Sequence, residues 1–223
     1  MQSIAGLTVR ITGPADARAT CVLLHGFGAP GDDLVPLAGE IDAPVRWAFP
    51  EAPLDLAPGA RAWWLLDLDK LERELASGKP RDRRDEVPEG LAAARDHVSR
   101  LLDQLAIRFP GPLVLGGFSQ GAMPALDVAL HRDTPPAALV LMSGTLLAES
   151  EWKPRMPRLA GVPILQSHGR ADPLLPFSAA ETLRDQLRAA GAAVDWHAFV
   201  GGHEIPRAAL AALQALLAKT SAG

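Results

Sequence analysis

The sequence predicts an α/β fold: a mostly parallel, twisted sheet of about seven strands with helices on both faces. Two observations carry this. Short apolar runs alternate along the chain with longer stretches of helical periodicity, the rhythm of repeated βαβ units. Most of the short runs are nearly continuous in Val, Leu and Ile, as in parallel strands covered on both sides.

In order, the strand candidates are Leu7–Thr12, Thr20–Leu24, Val45–Phe49, Leu113–Gly116, Ala138–Met142, Pro163–Ser167 and Ala193–Phe199. The helix candidates are Asp32–Glu40, Pro88–Ile107, Gln120–His131, Ser178–Ala190 and Pro206–Lys219. Pro88 and Pro206 suit a first helical turn. Ser178 with Glu181 three residues later reads as a capping box, and Gly191 suits a helix C-terminus. Only Gly13–Ala19 separates the first two strands. A parallel pair needs a crossover of about a dozen residues, so these two are expected to pair antiparallel at one edge.

Residues 50–87 break the rhythm. They hold several prolines, then Trp63-Trp64-Leu65-Leu66, then a charged run from Arg81 to Glu86. An irregular stretch of this length reads as a lid or groove-lining excursion. Its tryptophans either patch the core or touch a ligand, and its charged run reads as a solvated face. The whole of 1–223 reads as one domain carrying this excursion.

Composition narrows the function. Hydrophobic residues make up 48% and charged residues 22%, ordinary globular values. The net charge of −4 argues against nucleic acid or anionic membrane as the main partner, since both select a basic face. One cysteine, Cys21, excludes an intrachain disulfide and disfavours a cysteine-based zinc site; it reads as a buried strand residue. There is no tyrosine, so no step can use a phenol. Neither a signal peptide nor an apolar run of spanning length is legible, and a cytoplasmic location is expected. Glycine and proline total 40 of 223 residues, above the average share, which poses the question of what those turns do.

Gly117-Phe118-Ser119-Gln120-Gly121 is the strongest chemical signal. It follows an apolar strand and opens a helical pattern. At such a turn the serine hydroxyl projects from the sheet, and a side chain at either glycine would collide with neighbouring backbone. The plain alternative is a glycine-rich turn with a capping serine. A serine hydroxyl needs a base to act as a nucleophile. Of six histidines, His203 lies in the loop between the last strand and the last helix, at the edge where such sites assemble. An acid is expected between the two in sequence. Asp172 fits, just after the strand ending near Ser167, and Asp195 within a strand is the weaker rival. The plain alternative for Asp172 is an Asp-Pro turn starter. Leu24-His25-Gly26-Phe27-Gly28 follows the second strand and can supply one oxyanion N–H, expected from Phe27, with Gln120 supplying the other. His25 is expected to brace that loop rather than to move protons.

Together, Leu-His-Gly-x-Gly, Gly-Gly-Phe-Ser-Gln-Gly-Ala, His-Gly-x-x-Asp-Pro-Leu-x-Pro and Gly-Gly-His-Glu resemble the carboxylesterase/phospholipase family of α/β hydrolases, which includes acyl-protein thioesterases. The likeness runs from about residue 19 to 218. It implies the α/β-hydrolase fold, a triad of Ser119, Asp172 and His203, and oxyanion donors at Phe27 and Gln120. Arg61-Ala62-Trp63-Trp64 is similar to the stretch preceding the family's groove-lining loop, and Leu174 falls at an acyl-groove position. Trp64, Leu65 and Leu174 are therefore the expected substrate-binding residues.

The resulting expectation is a serine carboxylesterase acting through an acyl-enzyme on short to medium acyl chains. It needs no cofactor or metal, takes a small-molecule ester or acyl substrate, and works as a monomer or homodimer. Acyl-protein thioesterase or lysophospholipase activity uses the same machinery. A different class of reading is an inactive hydrolase scaffold that binds without turnover.

Overall fold

A computed structural model of the chain describes residues 1–78 and 80–222, so Lys79 in the excursion and the terminal Gly223 lie outside the described residues. Each expected strand is present: β2 (Leu7–Thr12), β3 (Ala19–Leu24), β4 (Val45–Pro50), β7 (Leu113–Phe118), β8 (Ala138–Met142), β9 (Pro163–Gly169) and β10 (Ala193–Phe199). A short β1 (Gln2–Ile4) joins them, giving an eight-stranded sheet in the order β1-β2-β4-β3-β7-β8-β9-β10 rather than one of about seven. From β4 to β10 the pairs are parallel.

The expected β2–β3 pair does not form. β2 pairs antiparallel with β4, and β4 lies parallel between β2 and β3. Burial explains the order. β2 alternates buried and exposed positions, whereas β4 is buried at all but Arg46 and must sit inboard. The chain leaves β2 through Gly13 (φ 107°), where a Cβ would run into the Val45 carbonyl oxygen at the start of β4.

Helices cover both faces. α3 (Leu91–Arg108), α4 (Ala122–His131) and α6 (Phe177–Ala189) pack on the face presenting Val22, Leu115 and Ile164. α7 (Arg207–Ala222) packs on the face presenting Cys21, Val114 and Leu165, together with Leu34 and Ile41 beside the short α1 (Leu37–Glu40). Successive strand residues thus serve two separate cores, which is why the runs read as continuous apolar. α1 is much shorter than the expected 32–40 helix. Successive i+3 turns run from Pro30 to Gly39, and α-helical i+4 bonding begins only at Leu37. The Ser178–Glu181 capping box is also absent: α6 begins at Phe177 behind Pro176, which leaves Ser178 inside the first turn.

The 50–87 excursion is more ordered than its sequence suggests. β5 (Leu54–Ala57) and β6 (Ala60–Ala62) form a hairpin, followed by α2 (Leu68–Ala76). Trp63 and Trp64 are 1% and 2% exposed within the core. The charged run is not a solvated face throughout. Arg83 pairs with Glu74 of α2 and with Glu86 at 3.2 Å, while Lys70 and Arg81 reach Glu86 at 3.1 and 3.0 Å. Backbone N–H groups of Ala148 and Glu149 donate to the carbonyls of Glu86 and Arg84, sewing the run to the residues entering α5 (Glu149–Trp152).

Candidate active site

The parallel strands end in loops on one edge, and four of these loops converge. β7 ends at Phe118, and Ser119 then takes a left-handed backbone (φ 55°) before a single 3₁₀ turn leads into α4. Such a conformation at a non-glycine residue costs about 1–3 kcal/mol and persists only where the surroundings enforce it. Here they do. A Cβ at Gly121 would meet the Leu24 and His25 carbonyls, and one at Gly117 would meet Gly121 and Leu24. Only glycines let the turn press against the end of β3.

His203, in the loop after β10, places Nε2 2.7 Å from Ser119 Oγ and Nδ1 2.7 Å from Asp172 Oδ2. The tautomer consistent with both bonds carries its proton on Nδ1 and accepts the serine hydroxyl at Nε2. The other Asp172 oxygen, Oδ1, accepts the N–H groups of Leu174 and Leu175 at 2.8 and 3.0 Å. Burial alone would raise this carboxyl; the His203 contact and the two backbone N–H groups outweigh it and hold Asp172 below the usual carboxylate range. The His203 loop is fastened from behind, where Arg170 and Ala171 donate to Phe199 and Gly201 carbonyls and the Ser143 hydroxyl donates to Glu204 O.

The β3 loop closes the fourth side. A Cβ at Gly26 would sit 3.3 Å from that of Ser119, so this loop lies directly against the turn that carries the hydroxyl. His25 braces this loop as expected. Its Nδ1–H donates to Gly26 O, its Nε2 accepts the N–H of Ala52 at 3.0 Å, and its carbonyl accepts the indole N–H of Trp63. Gly28 and Arg61 add a backbone bond at 2.8 Å. Burial pushes the His25 imidazole below its ordinary value, so it stays neutral.

The Gln120 side chain has a role its sequence position does not reveal. Oε1 accepts the N–H of Trp63 and Nε2 donates to Trp64 O, both within 3.0 Å, fixing the tryptophan pair to the turn that carries Ser119. Asp195 does not approach His203; it is exposed on β10 beside His197. Among the remaining histidines, His97 and His131 contact Arg100 and Asp127 on helices, and His168 lies behind Asp172. Among the described residues, no group of three or more His, Cys, Asp or Glu is arranged to hold a metal ion.

Ser119 and His203 open into a cavity of about 610 Å³. All three expected groove residues, Trp64, Leu65 and Leu174, line it. So do Met123, Leu147 and Leu175, and a charged wall of Lys70, Arg81, Arg83 and Glu86. Met123 could have been found from sequence, since it follows Ser119 by four residues, one helical turn. Leu147 could not, because its loop is brought in by β8. The arrangement can take a proton from a hydroxyl as that oxygen adds to a carbonyl, inside a largely apolar pocket.

Comparison with known proteins gives the family and the fold. Residues 8–221 match the phospholipase/carboxylesterase family. The chain belongs to that family. Its members are serine hydrolases of the carboxylesterase and acyl-protein thioesterase kind, and the α/β-hydrolase fold of the family is the fold seen here. A probable carboxylesterase of Oryza sativa subsp. japonica is 29% identical over 208 residues, covering 88% of this chain and 76% of the relative. An acyl-protein thioesterase 1 of Candida albicans is 28% identical, covering 78% and 79% respectively. The crystal structure of esterase PE8 superposes with a TM-score of 0.78 at 28% identity, covering 96% of this chain and 99% of that one.

Proposed function

We propose that this member of the family is a carboxylic ester hydrolase using Ser119 as nucleophile, His203 as general base and acid, and Asp172 as the group that orients and charge-stabilises His203. One observation carries the reading: the unbroken chain of two 2.7 Å contacts from Ser119 Oγ through His203 to Asp172. In the first half, Oγ adds to the ester carbonyl while its proton passes to His203 Nε2. The carbonyl oxygen becomes an oxyanion held by the N–H groups of Phe27 and Gln120. The tetrahedral species collapses, His203 protonates the leaving alcohol, and the acyl group stays on Ser119. In the second half, His203 deprotonates a water that attacks the acyl-enzyme, and Oγ recovers its proton as the acid leaves. No metal or cofactor enters these steps.

The acyl chain lies against Trp64, Leu65 and Leu174, and the preferred chains are short to medium. The names of the fungal relatives favour one second reading, thioester cleavage by the same groups. We also take residues 1–223 to act as one domain, in the cytoplasm, on a small-molecule substrate. Among the described residues no helix is long and apolar enough to cross a membrane. Hydrolysis of p-nitrophenyl esters of rising chain length, with an acyl thioester alongside, tests the reading. Turnover should peak at short to medium esters and fall to background in Ser119→Ala. Turnover that survives Ser119→Ala, or none on any substrate, would overturn it.

A further inference from the structure

His168 is the penultimate residue of β9, and no step above uses it. It is fully buried, at 0% exposure. Its Nε2 lies 3.0 Å from the Leu175 carbonyl oxygen and 3.4 Å from Asp172 Oδ2. Both neighbours are acceptors, so the ring proton belongs on Nε2. That N–H donates to the carbonyl that closes the Asp172–Leu175 turn and lies beside the carboxylate that opens it. The same Oδ2 accepts the Nδ1–H of His203 at 2.7 Å. Asp172 thus sits between two imidazoles, one turned to Ser119 and one turned to the core.

A buried imidazole is a poor choice for filling space. It gives up its hydration, and an aliphatic side chain would pack there with no polar atom to satisfy. The ring stays because its N–H is used. We propose that His168 is a positioning residue for hydrolysis, holding the Asp172–Leu175 turn so that the carboxylate meets His203 in the orientation proton transfer requires. It touches no reacting atom and acts through Asp172. The inference rests on the reading of Ser119, His203 and Asp172 given above. The titratable groups facing the ring are Asp172 and His203; the Leu175 and Gly144 carbonyls are its further polar neighbours, and the Phe177 ring lies tilted beside it with centroids 6.2 Å apart. Burial pushes the imidazole below its ordinary value, which keeps it a neutral donor while His203 gains and loses protons.

The test compares wild type, His168→Leu, His168→Gln, Asp172→Ala and the Asp172→Ala/His168→Leu pair. Each is assayed on one short p-nitrophenyl ester at a temperature where its melting curve shows it folded. Leaving the buried Leu175 carbonyl without its donor, and so freeing the turn that carries Asp172, should lower kcat about ten- to a hundredfold in His168→Leu, with KM little changed. The acid limb of kcat/KM should move to lower pH, because a misaligned carboxylate stabilises the His203 imidazolium less. His168→Gln keeps an N–H and should recover most of the rate. The double variant should be no slower than Asp172→Ala, since the two residues act as one unit.

A wild-type kcat and acid limb in His168→Leu would overturn the inference. So would a His168→Gln no faster than His168→Leu, or losses that multiply in the double variant. If His168→Leu does not fold, His168→Gln must outpace the shorter His168→Asn, and equality of those two counts against the inference. A wild-type rate in Asp172→Ala would instead sink the reading of the site itself.

Discussion

The backbone N–H of Ala52 donates to His25 Nε2 at 3.0 Å, and that bond exists only while His25 is uncharged. Protonation would turn the acceptor into a second donor facing an N–H. The loop bearing Phe27 is therefore held by a histidine that must stay neutral. Burial lowers the folded-state affinity of His25 for a proton, and the same is true of His168. An unfolded histidine titrates near about 6.5. The stabilising effect of both groups is thus fully present above that pH, and it drains away as pH falls below it and the unfolded state takes up protons first. Denaturant unfolding at pH 7.5, 6.5 and 5.5 should show a stable plateau and then a decline. The decline should be shallower in His25→Gln.

Asp172→Asn keeps the shape of the acid but carries no charge, and with its oxygen held by the Leu174 and Leu175 N–H groups it turns an amide N–H donor toward His203. If the site behaves as a Ser-His-Asp centre, kcat should fall by up to about 10⁴. The fold should survive, since Oδ1 still meets the Leu174 and Leu175 N–H groups. A variant within tenfold of wild type would contradict the role given to Asp172.

Gly121→Ala asks for space already occupied by the Leu24 and His25 carbonyls. The backbone must yield, at about 1–3 kcal/mol for an overpacked site. For a chain of this size each kcal/mol lowers the melting temperature by about 2–4 °C. Because what moves is the turn holding Ser119, activity should be lost well below the new melting temperature. An alanine variant with wild-type turnover would show that the turn is not held as tightly as described.

Arg83→Met removes the side chain shared by Glu74 and Glu86 and leaves only Lys70 and Arg81 to offset the repulsion between those carboxylates. The melting temperature should drop, and raising salt should recover part of the loss by screening that repulsion. Thermal melts of wild type and variant at low and high salt measure this. A variant as stable as wild type at low salt would mean that the cluster contributes nothing to holding residues 81–87.

Residues whose placement depends on local turn chemistry were legible in the sequence. Ser119, Asp172 and His203 each follow a strand whose apolar run is visible, and the fold brings these strand ends together. The order of the sheet was harder. Nothing near Gly13 says that β4, thirty residues on, will come between β2 and β3; that follows from which strand has one buried face and which has two. The Ser178–Glu181 pattern failed because a helix start one residue earlier moves a cap into the helix. Arg83 looked like surface because its partners, Glu74 and Glu86, come from either side of a fold-back that charge alone does not announce. Gln120 was noticed for its backbone, while its amide, which needs Trp63 and Trp64 alongside, was not.

That amide has a mechanical consequence. With both of its ends committed to the tryptophan pair, the wall of the pocket and the turn that carries Ser119 form one stiff body. A substrate leaning on Trp64 leans on Ser119 as well. Reshaping the pocket through the tryptophans and retuning the hydroxyl are then a single operation, and on the proposed reading a change of fit at Trp64 is carried into the rate constant.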